Sequence, residues 1–285
     1  MSFDLNIKRI LSGEGGKIEV ASGRCGNGQP CAGLFFKRMT NRETEKEPGL
    51  ISPVKGRSDP QLGPDAVMVM IPSDLEYLVT LCRGGKTTPF NLTFFTLYQV
   101  ERNGVRLSLS GPFLGSPQAV MGLEKLIALG AKRIWISGWC GSLRPDLRIG
   151  DLVVPSGALS EEGTSKHYPI AGKRLKTDED LNGCLEERLK ERALRFGKGE
   201  VWTTDAPYRE TPAKVKKFMK TGVLAVDMEM SALITVSLYR EVKLTGLLVV
   251  SDELFALKWK PGFSSPDLGR GAKLAGEVLM ETVCG

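Results

Sequence analysis

Residues 222–254 read GVLAVDMEMSALITVSLYREVKLTGLLVVSDEL, and this stretch decides how the chain is organised. Residues 223–226 and 247–250 are short apolar runs, rich in branched side chains and without alternation, which is typical of strands buried on both faces. Apolar residues recur at helical spacing between the two runs, so residues 228–239 are predicted to form an amphipathic helix. The recurring residues are Met228, Ala232, Leu233 and Val236.

A strand, a helix and a second strand make a crossover unit, in which the two strands are parallel. Parallel strands share a carboxyl edge, and open α/β sheets bind their ligands at that edge. Asp227 and Glu229 follow the first predicted strand and Asp252 follows the second, so the three acids are expected at one rim. The alternative is structural, because Asp227 suits the N-cap of the helix and Asp252 suits a cap of the segment after it.

The rest of residues 65–285 alternates predicted strands and helices around one hairpin, whose turn is Asn103-Gly104. Strands are predicted at 66–71, 92–100, 105–110, 133–138, 152–159 and within 200–211, and helices at 72–82, 118–129, 181–195, 212–221 and from 265 onward. Ser73, with Glu76 three residues later, is predicted to cap the first of these helices. We therefore expect an α/β fold, a three-layer α/β/α sandwich on a mixed, partly parallel sheet, with an N-terminal extension.

Residues 1–64 differ from the rest of the chain and are expected to form an N-terminal extension and linker, while residues 65–285 are expected to form the main domain, to which the resemblance described below gives a catalytic role. The second half of the extension is polar, charged and punctuated by prolines, which is typical of a linker or of an arm lying on a surface. Cys25 and Cys31 form one C-x5-C pair. Without a second pair or nearby histidines, this pair is interpreted as incidental, and no metal is expected.

The composition limits the partners that the chain is expected to have. The formal net charge is +6, but the basic residues are scattered, and the densest group, KVKKFMK at 214–220, fits the solvated face of a helix. Nucleic acid is therefore not an expected partner. No apolar run approaches the roughly 18 residues of a membrane span. A soluble, cytoplasmic protein with reduced cysteines is predicted.

Several segments together resemble the nucleoside phosphorylase superfamily of purine and uridine phosphorylases and nucleosidases. The segments are GVRLSLSGPFLGSPQAVMGLEKLIALGAKRI (104–134), WCGSLRPDLRIGDLVVPSGAL (139–159), WTTDAPYRE (202–210), GVLAVDMEMSALITV (222–236) and LLVVSDEL (247–254). The last pair is the most specific, because acid-Met-Glu and Ser-Asp must each end a strand. The resemblance covers about residues 65 to 282 and implies cleavage of an N-glycosidic bond.

The resemblance gives each acid a role in a reaction that passes through a ribosyl cation-like state. It implies that Glu229 holds the two ribose hydroxyls, with bonds that strengthen as charge develops. Met228 would pack against the sugar, and Asp227 stands where the family often has glutamate. Asp252 would protonate or hydrogen-bond N7 of a purine, which makes the base a neutral leaving group.

The resemblance also implies a nucleoside pocket and a homo-oligomer in which subunits share pockets. Further pocket residues on this basis are Gly138, Trp139, His167, Thr204, Asp205, Tyr208 and Ser251. Trp139 either offers stacking area or belongs to the core, and His167 either contacts the ligand or only shapes its loop. Thr211 and Ala213 stand where pyrimidine-specific members have glutamine and arginine, which together with Asp252 favours a purine.

The phosphate pocket of the phosphorylases is where this sequence departs from the family. Ile136 stands at an arginine position, Trp139 at a hydroxyl position, and Leu75-Glu76 near another arginine position. A buried anion needs such cations, so water is the expected acceptor, and Glu76 or Asp74 is expected to position it. No cofactor is expected, and phosphate stays a possible co-substrate. The alternatives are a phosphorylase that recruits Arg83 or Lys86, and a nucleoside-binding protein without turnover.

Overall fold

The computed structural model describes residues 49–82, 85–102, 104–170 and 172–285. Its strands are β1 (Asp65–Val69), β2 (Lys86–Asn91), β3 (Thr96–Arg102), β4 (Val105–Gly111), β5 (Arg133–Ser142), β6 (Leu152–Ser160), β7 (Phe196–Thr203), β8 (Ala225–Asp227), β9 (Lys243–Glu253) and β10 (Lys260–Pro261). Its α-helices are α1 (Pro72–Leu81), α2 (Ser116–Leu129), α3 (Glu179–Glu191), α4 (Pro212–Lys220), α5 (Met230–Arg240) and α6 (Pro266–Cys284). Two short 3-10 helices lie at Thr164–His167 and Pro207–Arg209.

The sheet is mixed, as predicted, and part of it closes into a ring. Its strand order is β10-β9-β6-β7-β8-β5-β1-β4-β3-β2, with an additional pairing of β9 with β5. Strands β4, β1, β5 and β9 are parallel in that order, whereas β2 and β3 form an antiparallel edge. Strands β6, β7 and β8 run the other way, and β8 returns to pair with β5. Strands β5, β9, β6, β7 and β8 therefore enclose a ring.

Helices cover both faces of the sheet, which confirms the predicted three layers. Strand β1 is buried along its whole length, and its alternate side chains enter different cores. Ala66 and Met68 pack in the core built with α2 and α5. Val67 and Val69 pack in the core built with α1, α3 and α6. An apolar run without alternation is what a strand buried on both faces requires.

The decisive stretch 222–254 folds differently from the predicted crossover unit. Strand β9 runs parallel to β5, but β8 runs antiparallel to β5, so β8 and β9 are not parallel. The crossover prediction was wrong because β8, a strand of three residues, takes its direction from β7. The two strands pair in parallel, with Thr203 opposite Asp227, whereas β8 does not run parallel to β9. The acids nevertheless converge, since Gly141 of β5 pairs with Val226 on one side and with Asp252 on the other.

Two local predictions have different outcomes. Arg102 pairs with Val105 across β3 and β4, and Gly104 has a φ of 77°, so the predicted hairpin is confirmed, although Asn103 lies outside the described residues. The predicted capping box was wrong, because α1 follows Ile71 and no side chain caps it. Proline at the first helical position needs no N–H partner, and Ser73 instead donates to Asp74 Oδ1 at 3.3 Å.

The described part of the predicted N-terminal extension, residues 49–64, lies against the domain. Lys125 Nζ on α2 donates to the carbonyl oxygen of Val54 at 2.7 Å, and Leu62 N–H donates to that of Leu129 at 2.9 Å. The predicted boundary after residue 64 stays a prediction, and Cys25 and Cys31 lie outside the described residues. Within the described ranges, no helix combines the length and the apolar composition that crossing a bilayer would need.

Candidate active site

Asp227 ends β8 and holds the turn that leads into α5. Its Oδ1 accepts from Thr203 Oγ1 at 2.6 Å, and its Oδ2 accepts from the N–H groups of Glu229 at 2.9 Å and Met230 at 2.6 Å. A carboxylate that satisfies N–H groups at a helix start is a cap, which is the structural alternative considered for this residue. These bonds orient the next acid, and direct contact of Asp227 with a substrate stays a prediction.

Glu229 meets the start of α2 across the site. Its Oε1 accepts from Gly115 N–H at 2.7 Å, and Ser116 Oγ donates to the carbonyl oxygen of Met228 at 2.7 Å. Gly115 has a φ of 79°, a conformation that glycine adopts at little cost and that turns its N–H toward the carboxylate. Met228 is half-buried beside these buried groups, and its contact with the sugar, which the resemblance implies, stays a prediction.

The two acids form a buried pair of like charges. Burial raises the pKa of Glu229 above its ordinary value, and the charge of Asp227 raises it further. Burial also raises the pKa of Asp227, although its bonds from Thr203, Met230 and Glu229 oppose that rise. The pair therefore binds protons more strongly in the folded than in the unfolded chain.

Glu229→Gln is expected to flatten the fall of stability with rising pH. A carboxyl whose folded pKa is raised stabilises the fold below its ordinary pKa, and this contribution is lost as the pH rises toward the folded pKa. Between about pH 5 and about pH 8, the free energy of unfolding of the variant should fall less than that of the parent, by at least about 1 kcal/mol. Denaturant unfolding at several pH values measures this difference. Glu76→Gln, at an exposed position, is the control, and parallel curves for Glu229→Gln and the parent would contradict the expectation.

Glu162 is a buried site residue that sequence reasoning missed. It accepts from Ser160 Oγ at 2.7 Å and Ser231 Oγ at 3.0 Å through Oε1, and from Ser165 N–H at 3.0 Å through Oε2. Burial pushes its pKa upward, but these hydrogen bonds outweigh burial and leave the pKa below its ordinary value. The residue thus ties the loop after β6 to α5. His167, on the same loop, has an exposed side chain, and its contact with ligand stays a prediction.

Asp252 lies near the end of β9, on the other side of Gly141 from Val226. Its Oδ1 accepts from Ser251 Oγ at 2.7 Å, and its Oδ2 accepts from Trp259 Nε1 at 3.0 Å. Burial raises the pKa of Asp252, and the two hydrogen bonds partly offset the rise. The pKa of the buried Cys140 thiol is raised by burial and by the charges of both Asp227 and Asp252. The two acids therefore lie near the same thiol.

The loop after β7 brings the predicted base-side residues to the same end of the sheet. Thr204 is buried and donates its N–H to the Asp227 carbonyl oxygen at 3.0 Å, and Asp205 Oδ2 accepts from Gly163 N–H at 2.8 Å. Tyr208 is 100% exposed, so it packs against nothing here. Glu210, which sequence reasoning missed, has its pKa raised to about 7 by burial and by the charge of Asp252.

The side chain of Glu76 is exposed on α1, and its predicted catalytic role stays a prediction. Asp74 is the acid that faces inward, with its Oδ2 accepting from Trp139 Nε1 at 2.9 Å. Residues two apart on a helix point to nearly opposite sides, so the two acids face different surroundings. Burial raises the pKa of Asp74, partly offset by bonds from Trp139 and Ser73.

Trp139 and Gly138 occupy different environments at the end of β5. Trp139 is half-buried, and its ring stacks on Phe263 with centroids 6.2 Å apart and planes inclined by 20°. Gly138 is buried, and a Cβ there would lie 3.1 Å from Met70 and 3.4 Å from Leu248, so this glycine permits close packing. Among the described residues, no group of three or more His, Cys, Asp or Glu side chains is placed to hold a metal ion.

Comparison with known proteins places the chain in a family. The protein-family model described as "Phosphorylase superfamily" matches residues 65–265. The chain therefore belongs to the phosphorylase superfamily, as its motifs predicted, and it is an enzyme of that class. Nucleoside phosphorylases use phosphate as a substrate and need no cofactor.

Two relatives and two solved structures illustrate the likeness. A guanosine phosphorylase of Halorubrum lacusprofundi is 25% identical over 209 residues, which cover 72% of this chain and 86% of the relative. A DeoD-type purine nucleoside phosphorylase of Bacillus cereus is 30% identical over 154 residues, which cover 53% of this chain and 66% of the relative. The Toxoplasma gondii purine nucleoside phosphorylase in complex with immucillin-H has a TM-score of 0.71 at 22% identity and covers 79% of this chain and 91% of its own. The uridine phosphorylase of Vibrio fischeri has a TM-score of 0.70 at 23% identity, and the match covers 79% of this chain and 93% of the Vibrio chain. These structures share the fold.

Proposed function

We propose that the protein cleaves the N-glycosidic bond of a purine nucleoside and that water is the acceptor, so that the products are free base and ribose. The observation that carries the choice of water is the hydrogen bond of 2.9 Å from Trp139 Nε1 to Asp74 Oδ2. This bond joins an aromatic ring to a buried carboxylate. The resemblance implies that Trp139 stands at a phosphate position of the phosphorylases, and the bond therefore supports the choice of water. A relative named guanosine phosphorylase and others named purine nucleoside phosphorylases support a purine as the base.

The two halves of the site divide the work of bond cleavage. Glu229 is proposed to accept from the ribose hydroxyls, and these bonds strengthen as the sugar becomes cationic. Asp252 is proposed to give a proton to the base nitrogen N7, while the electron pair of the breaking bond moves onto the base. The attacking water forms a bond to C1′ and gives its proton to Asp74. Every transferred proton then has a donor and an acceptor.

A doubly charged phosphate would be poorly compensated at this place. Ile136 is buried in an apolar core, and Asp74 adds a carboxylate beside Trp139. Moving an anion next to an apolar wall and a like charge costs several kcal/mol unless cations balance it. Water carries no charge and needs only an acceptor, and a buried carboxylate whose pKa is raised is a suitable one.

Phosphorolysis is the second candidate, and the names of the relatives favour it, since they are phosphorylases. It would need cations from elsewhere in the chain or from another subunit. Arg83 and the side chain of Lys86, the residues considered for this purpose, lie outside the described part. A homo-oligomer is expected from the resemblance and a cytoplasmic location from the sequence composition, and both stay predictions.

Product analysis across a phosphate titration separates the two acceptors. In phosphate-free buffer, the protein should release free base and ribose from a purine nucleoside, at a rate that phosphate does not raise. Asp74→Asn should lower this rate roughly 100-fold, because it removes the base that takes the proton of water. Glu76→Gln, on the same helix but exposed, is the matched control and should leave the rate unchanged.

Each of the other outcomes would indicate a different function. A rate that rises and saturates with phosphate, with ribose 1-phosphate as product, would replace hydrolysis by phosphorolysis. Binding of nucleosides without any release of base, with or without phosphate, would identify a nucleoside-binding protein that lacks turnover.

A further inference from the structure

Asp252 is held by a residue that the proposed reaction does not use. One oxygen of its carboxylate accepts from Ser251 Oγ at 2.7 Å, and the other accepts from Trp259 Nε1 at 3.0 Å. Each oxygen therefore already has a donor, and a base nitrogen that needs this carboxyl has to share or replace one of them. Ser251 is buried in the strand, whereas Trp259 is 57% exposed, so the indole is the donor that is free to leave.

Trp259 belongs to an aromatic cluster, defined here as Trp139, Phe263 and Trp259. Phe263 lies between the two indoles, with its centroid 6.2 Å from that of Trp139 and 6.1 Å from that of Trp259. Each indole N–H is bound to a different carboxylate, Trp139 to Asp74 and Trp259 to Asp252. The cluster therefore links the proposed water side of the site to the proposed base side.

The backbone allows this indole to move without opening the core. Trp259 directly precedes β10, a strand of only two residues that pairs with the end of β9, with Lys260 opposite Glu253 and Pro261 opposite Asp252. Phe263, its ring neighbour, is 56% exposed. A rotation of the indole thus breaks one hydrogen bond and one ring contact in the part of the chain that the structure describes.

We propose that Trp259 is a positioning residue for Asp252: its indole N–H holds one carboxylate oxygen in the free protein and is exchanged for a nitrogen of the base when ligand binds. The inference rests on the proposed function only in assigning the base to Asp252. The inference adds Trp259 as a residue that orients the Asp252 carboxyl. Release of its indole on ligand binding then allows this carboxyl to hold a proton.

The charges around Asp252 make this exchange consequential. A hydrogen bond from an indole favours the ionised carboxylate and lowers the pKa, against the rise caused by burial. Among the described residues, the charge of Asp252 raises the pKa of Glu210 in the loop after β7 and of the Cys140 thiol on β5. Negative charges on Asp252 and Glu210 repel each other, so loss of the indole hydrogen bond favours uptake of a proton by this pair of carboxyls.

The hydrogen bond is tested directly, without turnover, on full-length protein labelled with 15N at its tryptophans. The indole N–H signal of Trp259, assigned by its loss in Trp259→Phe, is expected to shift with pH in one step that Asp252→Asn removes. Trp135 provides the internal control, because its Nε1 donates to Asp65 Oδ1 at 3.0 Å in the buried core, and its signal should not follow that step. Saturating hypoxanthine or adenine should shift the Trp259 signal and leave the Trp135 signal in place.

A second measurement follows activity on whichever nucleoside is cleaved. Cleavage that needs protonated Asp252 becomes slower as the pH rises through the pKa of this carboxyl. Trp259→Phe is expected to raise that pKa, because it removes a hydrogen-bond donor to the ionised form. The falling limb of kcat/KM should move to higher pH by roughly one unit in Trp259→Phe, while Leu257→Ala, at an exposed position of the same loop, should leave it in place.

The outcomes separate this inference from the proposed function. A Trp259 signal that titrates with Asp252 in a protein that cleaves no nucleoside would support the hydrogen bond and overturn the function. Cleavage of purine nucleosides together with a Trp259 signal that neither titrates nor responds to the base would overturn the inference and leave the function standing. An unmoved pH limb in Trp259→Phe would overturn it as well.

Discussion

Asp252→Asn is expected to lower the rate of cleavage of purine nucleosides by roughly 100- to 10,000-fold, the usual contribution of a general acid. The reason is local, because asparagine retains an oxygen for Ser251 or Trp259 but has no proton to give to the base. A nitrophenyl riboside should lose far less, since its leaving group departs without protonation. The comparison needs only the two substrates and one variant, measured at the same pH.

Equal losses on both substrates would contradict this role for Asp252. In that case the carboxylate would serve to hold Ser251 and Trp259 in place, which is the structural alternative that the sequence left open. Circular dichroism and thermal unfolding of the variant separate such a loss of structure from a loss of chemistry.

Glu229→Gln is expected to lower kcat by roughly 100- to 1,000-fold, the range found when one preorganised transition-state contact is removed. Glutamine keeps the acceptor for Gly115 N–H, which Glu229 Oε1 now provides at 2.7 Å, so the turn should persist. What it loses is the ionised carboxylate, whose negative charge stabilises the developing positive charge on the sugar, so kcat is compared above the raised pKa of Glu229. The dissociation constant of the nucleoside, measured with the slow variant by equilibrium dialysis, should change by much less than kcat.

A dissociation constant that weakens as much as kcat falls would place the role of Glu229 in ground-state binding. The control for the electrostatic argument is Glu162→Gln, which also neutralises a buried acid near Asp227. In the described residues, the hydrogen bonds to the Glu162 carboxylate come from serines. A drop in kcat of the same size in that variant would mean that any buried charge in this region suffices.

The parts of the fold that the sequence predicts well are those with a strong local signal. Strand β1 and helix α2 have apolar patterns and turn residues that leave one interpretation, and both form within a few residues of the predicted bounds. Strand β8 failed as a partner for β9, because three residues carry too little information to say which neighbour they pair with. The direction of such a strand is decided by the ring that it closes, which is a property of the whole sheet.

The site was predictable where residues follow strands and unpredictable where distant loops meet. The convergence of the acids after β8 and at β9 was predictable because motifs at strand ends mark Glu229 and Asp252, whose roles stay predictions. Glu76 and Asp74 were both candidates for positioning water, and a period of about 3.6 residues per turn puts these two side chains on different faces of the helix. Glu162, Glu210 and Trp259 were missed, since each acquires its importance from a partner far away in the sequence or across a loop.

At Gly141 the main chain sets the spacing between the proposed sugar half and the proposed base half of the site. A methyl group there would lie 2.5 Å from Leu254, 3.0 Å from the carboxylate of Asp252 and 3.1 Å from Val226, so no side chain fits between the two strands that carry the acids. Hydrogen-bonded strands on either side fix that gap. On the proposed function, exchange of the surrounding loops would alter which base is admitted, while the distance from the proposed sugar contact to the proposed base contact would stay constant.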